Sequence, residues 1–389
     1  MGIRKLLLTV FAVVLVSSAV TFPLLAQEMT VEDPKPLREP RLEYTPVGVQ
    51  PDTYGRKGPD MPGLELTPIL MQTGRGFTFV DNGMQTGFLF IPPDPICAAG
   101  IEHIVNCGNV IVEWRPKAVP DTAQVQMALV NFYAPIPGPS SPLLPTEKLG
   151  TYTFDSKCIY DQYADRFIVI ALEQWDDFYG DPSDESRILI AVSKTPDPNA
   201  GWWYHVINSK LNVGGIPAWA DYPGIAVDDK ALYITANMFE FAGSAATFGS
   251  LLWIIDKNPF YNGPDQSALV TIHDAYAATG GIATTTQPAH MWGPLPGQLG
   301  TYLTSYSGLT SGGNEFVQVI EVTDPLGAGG GPFFAQQYVG VGNIDNTALG
   351  LPDAPQQGSA TRIEVNDRRA LNAVWRNNRL YVSSTLMPV

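Results

Sequence analysis

The chain has 389 residues, 45% of them hydrophobic and 16% charged, with 37 glycines and 34 prolines. It is long enough to bury a large core, and a turn-rich, charge-poor composition favours an all-β protein over a helical one. The net charge of −15 argues against nucleic acid and against anionic lipid as partners, because both repel an acidic surface.

In chain order, the first predicted element is a signal peptide over residues 1–26. Arg4 and Lys5 supply its positive end, Leu6 to Phe22 is apolar, and Ala26 precedes a plausible cleavage point. No later stretch is long and apolar enough to span a membrane. The expectation is an exported protein, periplasmic or extracellular, with no membrane span after cleavage. Residues 27–70 are dense in proline and lack apolar periodicity, which predicts an extended leader. The folded part is expected over 71–389.

From Met71 onward, short β-branched and aromatic runs alternate with turn residues. They include "FTFVDN", "GFLFIPP", "HIVNCGNVIVEW", "AQVQMALVNFY", "FIVIALEQW", "ILIAVSK", "WWYHVIN", "ALYITANMF", "LLWIIDK" and "RLYVSST". Each reads as a strand, with little room left for helices. The runs also repeat in register. Asp155 lies twelve residues before Phe167, Asp221 twelve before Tyr233, His290 twelve before Tyr302, and Arg369 twelve before Tyr381. An earlier copy begins at Asp94. Four-stranded units repeating every 61 to 79 residues predict a β-propeller with five visible blades, completed by the N-terminal strands or left incomplete. A β-sandwich is the alternative, but it offers no reason for a repeated register.

The phrases "FDSKCIYDQYADRFIVIALE", "SRILIAVSKTPDPNAGWWYHV", "WADYPGIAVDDKALYITANMF" and "SATRIEVNDRRALNAVWRNNRLYVSST" resemble, in order, a family of secreted bacterial β-propeller proteins of unestablished activity. The resemblance covers roughly residues 94 to 385. It implies a propeller fold and export; it implies no catalytic residues. Family members continue beyond the last phrase with further strands.

The repeat places Asp94, Asp155, Asp221, His290 and Arg369 at equivalent blade starts. The first strand of a propeller blade lines the central axis, so these five residues are candidate ligand-binding groups around one mouth. The competing reading is that each Asp caps its own backbone. Asp94, Asp155 and Asp221 are also candidate catalytic carboxylates, because glycoside hydrolysis needs one protonated and one ionised carboxyl. The loop "DDFYGDPSDES" offers Asp176, Asp177, Asp181, Asp184 and Glu185. These are weak calcium candidates in a spacing unlike an EF-hand, and no other cofactor is expected. "GWWYH" presents Trp202 and Trp203 on opposite faces of one strand, one of them for the core. Of three cysteines, Cys97 and Cys107 form the favoured disulfide, across a hairpin; Cys97–Cys158 and buried free thiols are the alternatives. The functional expectation is a recognition module for a glycan or protein ligand at the cell envelope or outside the cell. A glycosidase-like hydrolase and a structural subunit of a surface assembly are the alternatives.

Overall fold

A computed structural model describes residues 74–87, 89–90, 92–136, 152–175, 184–241, 247–263, 270–275, 285–311, 314–342, 353–363 and 369–384. The expected signal peptide, the leader and most of the acidic loop lie outside these residues. The described chain is all-β and built of antiparallel sheets that follow one another in sequence.

The first sheet runs β1 (Ile96–Ala99), β2 (His103–Gly108), β3 (Ile111–Pro116) and β4 (Val125–Ala128) in that order. The second runs β5 (Tyr152–Asp161), β6 (Arg166–Trp175), β7 (Glu185–Ser193) and β8 (Trp202–Asn208). The third contains β9 (Leu211–Val213), β10 (Ile216–Val227), β11 (Ala231–Glu240), β12 (Thr247–Asp256) and β13 (Val270–His273). The fourth holds β14 (Gln287–Trp292), β15 (Leu299–Ser311), β16 (Asn314–Thr323) and β17 (Phe333–Gly342). To its β14 edge are added β18 (Ala370–Arg376) and β19 (Arg379–Ser384).

That addition departs from the expected five separate units. The hairpin of the fifth repeat does not stand alone among the described residues. β18 pairs in parallel with β14, Ala289 opposite Ala373 through Trp292 opposite Arg376. The reason is an open edge: β14 is laddered to β15 only at Gln287 and Pro288, which leaves its far side for β18. Ala289, Met291 and Leu299 then pack with Ala373 and Trp375 in a small core of their own.

Sheets stack on their neighbours in chain order. One core cluster joins Val105, Cys107 and Trp114 of the first sheet to Cys158, Phe167, Val169 and Leu189 of the second. Another joins Tyr233, Leu252 and Ile254 of the third to Leu303, Ile320 and Phe334 of the fourth. Being covered on both faces explains why β6 and β11 read as nearly continuous apolar runs rather than as alternations. The fit is close at Gly100, where a Cβ would fall 2.5 Å from the Phe167 ring.

Three local expectations change. "FTFVDN" is not a strand: it opens α1 (Phe79–Thr86), held by a capping box between Thr78 and Asp81. The Thr78 N–H donates to Asp81 at 2.6 Å and the Asp81 N–H to Thr78 at 3.2 Å. "GFLFIPP" forms no strand among its described residues. The run "AQVQMALVNFY" divides between β4 and the short α2 (Leu129–Phe132).

The favoured Cys97–Cys107 bridge is absent, and all three cysteines are unpaired. Register is the reason. Cys97 stands opposite Asn106 and Cys107 opposite Ile96, so the two cysteines point to opposite faces of the first sheet.

Candidate functional site

The site begins with a backbone irregularity repeated in successive sheets. Asp94 (φ 42°), Asp155 (φ 49°), Tyr222 (φ 50°) and Thr285 (φ 57°) all hold the left-handed conformation, which is uncommon for residues other than glycine. In β5 the ladder slips between Phe154 and Lys157, and in β10 between Asp221 and Gly224. These are bulges, and a bulge re-aims the side chains beside it.

The bulges set the true register. Asp161 lies six residues after Asp155, and Asp228 six after Tyr222. Both Asp161 and Asp228 close the same turn. Asp161 accepts the N–H groups of Tyr163 and Ala164; Asp228 accepts those of Lys230 and Ala231. The counterpart of Asp155 is therefore Tyr222, one residue beyond the expected Asp221. The shared spacing of twelve arose because the two hairpins differ in turn length.

Asp221 still enters the site. The Asp155 carboxyl hydrogen-bonds the Asp221 carboxyl. Burial, then the charge of Asp221, pushes Asp155 up to about 7, against the opposing pull of Lys157 and the Tyr222 N–H. Burial also raises Asp221, while the bond from Asp155 and the Tyr222 N–H, 2.8 Å from its Oδ1, oppose the rise. Asp94 is raised by burial and then by the charge of Asp155. Two carboxyls that share one proton are the expected state when like charges are held together out of water.

Cations flank the carboxyls. The Tyr222 ring has the Lys157 ammonium 5.4 Å and the Arg369 guanidinium 5.2 Å from its centroid. Arg369 also hydrogen-bonds the Tyr222 side chain and lowers its pKa, though burial outweighs it and leaves Tyr222 raised. Asp155 is fixed from the first sheet: its N–H donates to Asn109 at 3.1 Å, and the Ser156 hydroxyl donates to the Gly108 carbonyl at 2.9 Å. By alternation Trp219 shares a face of β10 with Asp221. Its ring, only partly covered, lies 5.5 Å from Phe239 and 6.3 Å from Phe154.

Of the five expected groups, Asp94, Asp155, Asp221 and Arg369 come together. His290 does not. Its Nε2 lies 2.9 Å from Gln162 Oε1, in the turn that follows Asp161. Six residues of strand separate that turn from Asp155, about 20 Å at ~3.3 Å per residue. Burial drives His290 down to about 4, and its charged neighbours are Asp161 and Lys257. Thr285 holds the backbone position expected of His290.

The calcium candidates Asp176, Asp177 and Asp181 lie outside the described residues. Asp184 is buried, and its carbonyl accepts the Lys210 ammonium. Among the described residues no cluster of three or more His, Cys, Asp or Glu is placed to hold a metal ion. Trp202 is core, 5.7 Å from Trp114 and 5.2 Å from Phe132. Trp203 is partly covered, with the Lys194 ammonium 4.2 Å above its ring. Lys157, Tyr222, Trp219 and Asn109 were not singled out in the sequence. Lys157, two residues after Asp155, and Tyr222, next to Asp221, were the visible hints.

No protein-family model matches the chain, and no curated protein matches it.

Proposed function

We propose that this protein is an exported β-propeller that acts as a recognition module, with its ligand seated on the Asp94, Asp155 and Asp221 carboxyls. The propeller reading is supported by consecutive meanders that stack in chain order, each with a left-handed residue within or just before its first or second strand. Export is supported by the N-terminal charge and apolar pattern. The observation that carries the binding proposal is the meeting of the Asp155 and Asp221 carboxyls from two different sheets, with Asp94, just before β1, beside them.

The chemistry suits a glycan. A carboxyl held up near 7 can donate, its neighbouring carboxyls offer acceptor oxygens, and Lys157 and Arg369 add donors around a tyrosine ring. Trp219 supplies a partly open aromatic face. Hydroxyl-rich ligands use this mixture of donors, acceptors and an apolar platform.

A hydrolase is the second reading, because a carboxyl raised to about 7 beside further carboxyls suits acid–base catalysis. The hydrogen-bonded Asp155–Asp221 pair stands closer than the ~5 Å or more that separates glycosidase carboxyls. Hydrolysis therefore requires Asp94 as the second carboxyl.

The test is retention on a glycan panel by the wild type and by Asp155→Asn and Asp221→Asn. The expected outcome is selective retention that falls at least tenfold in either variant, with no turnover. Cleaved glycan, lost in Asp94→Asn, establishes the hydrolase instead. Retention identical in all proteins, or capture only of protein ligands, overturns the glycan proposal.

A further inference from the structure

The three cysteines gather at the join between the first and second sheets, and their arrangement separates them. Val105 and Cys107 alternate onto the face of β2 that meets the second sheet; Cys158 does the same on β5, beside Tyr160. Both cysteines lie in the shared core, 0% and 1% exposed. The Cys158 sulfur lies 3.5 Å from the Val105 carbonyl oxygen and 3.7 Å from that of Ile96, the residue directly opposite Cys107. Cys97 is exposed and points to the opposite face.

We propose that Cys107 and Cys158 form a disulfide that joins the first sheet to the second, and that Cys97 stays a free thiol. Both thiols are reduced in this structure; sharing one core cluster across the join, they need only approach to the ~2.05 Å of a disulfide bond. Other pairings fail: Cys97 is on the wrong face for Cys107, and the first sheet's backbone stands between Cys97 and the core that holds Cys158. The alternating pleat, not sequence distance, selects the pair.

The chemistry is thiol–disulfide exchange with a disulfide donor. Cys158, deprotonated, attacks one donor sulfur, breaks the donor S–S bond and expels one donor thiolate. Cys107, deprotonated, then attacks the Cys158 sulfur and expels the second. The two cysteines lose two electrons, the donor disulfide gains them, and the two protons end on the released donor thiols. Both cysteines are buried once the sheets have met, and burial holds the Cys158 thiol in its protonated, unreactive form. The bond therefore forms while the sheets are docking, not afterwards.

The experiment is refolding of the full chain in a buffer of reduced and oxidised glutathione. Free thiols are then alkylated under denaturing conditions and peptides are mapped by mass. The expected result is a linked Cys107–Cys158 peptide and an alkylated Cys97. Cys97→Ser should keep the link, and Cys158→Ser should abolish it without creating another. Three alkylated cysteines in the wild type, or Cys97 bridged to either partner, overturns the proposal. The wild-type map decides the matter even where a variant does not fold.

Discussion

Asp155 adopts a backbone conformation that most residues avoid, and its side chain keeps a proton that most carboxyls shed. Both properties come from one place: a bulge closed over by the neighbouring sheet. The consequence for stability has a definite sign. Its folded pKa, about 7, stands above the ~3.9 of an unfolded aspartate. The folded state thus binds the extra proton, and the contribution is complete below pH 4 and lost as pH rises through 7. At ~1.4 kcal/mol per unit, wild type should lose about 2–4 kcal/mol relative to Asp155→Asn between pH 4 and pH 8. Thermal melts of both proteins across that range check it; parallel curves would count against the shared proton. His290 acts in the opposite sense. Its folded pKa of about 4 lies below the ~6.5 of a free imidazole. Its contribution is present above 6.5 and lost as pH falls toward 4, which is why the comparison with a variant is needed rather than the wild-type curve alone.

At the scale of the element, the hairpin turns and the strands' outer contacts carry the sharpest tests. The β5–β6 turn begins at Asp161, 0% exposed, whose Oδ2 receives the Lys257 ammonium at 2.7 Å and the Tyr261 hydroxyl at 2.7 Å. Lys257 begins α3 (Lys257–Tyr261) in the third sheet's connection and also donates to the Asp228 carbonyl at 2.6 Å. Lys257→Met leaves a buried carboxylate without its cation, and the expected cost is about 3–5 kcal/mol. Adding Asp161→Asn should recover part of it, as read by urea denaturation. Gly100 tests the packing between the first two sheets. Gly100→Ala drives a methyl group into Phe167 and Tyr160 and should cost about 1–3 kcal/mol, measured the same way. These elements differ in how far the sequence reveals them. β6, β11 and β12 are legible because burial on both faces makes them unbroken apolar runs bounded by turns. α1 is not, because its apolar residues are few and its Thr78–Asp81 cap outweighs their strand preference. The recurring Asp at each repeat start pointed to three of the carboxyls that meet. It missed by one residue the position that carries the bulge, because turn length is invisible to a fixed spacing. His290 fell to the same error. Tyr222 and Lys157 owe their place to the bulge, which no period of two or of sixty records.

Across the whole molecule, stability depends on joins between sheets as much as on the sheets. Each join combines an apolar seam with a few directed polar contacts, and the site is itself such a join. Asp155 and Asp221 belong to the second and third sheets and Asp94 leads into the first, so their meeting requires all three to be seated. A ligand that spans them should therefore stabilise the assembly as a unit. The same logic makes the proposed Cys107–Cys158 bond a strap across the first seam, placed where the chain between the sheets is long.

The polar contacts at the seams are not all alike: two use an asparagine and one a serine. Asn109 receives the Asp155 N–H, Ser186 receives the Ala220 N–H at 3.1 Å, and Asn237 receives the Thr285 N–H at 2.7 Å. Repeats this alike in outline are open to confusion over which sheet follows which. The seams work as keyed couplings, with the serine socket cut differently from the two asparagine ones. A shuffled or duplicated order of sheets would preserve every strand and still present the wrong key wherever the serine and asparagine sockets were exchanged.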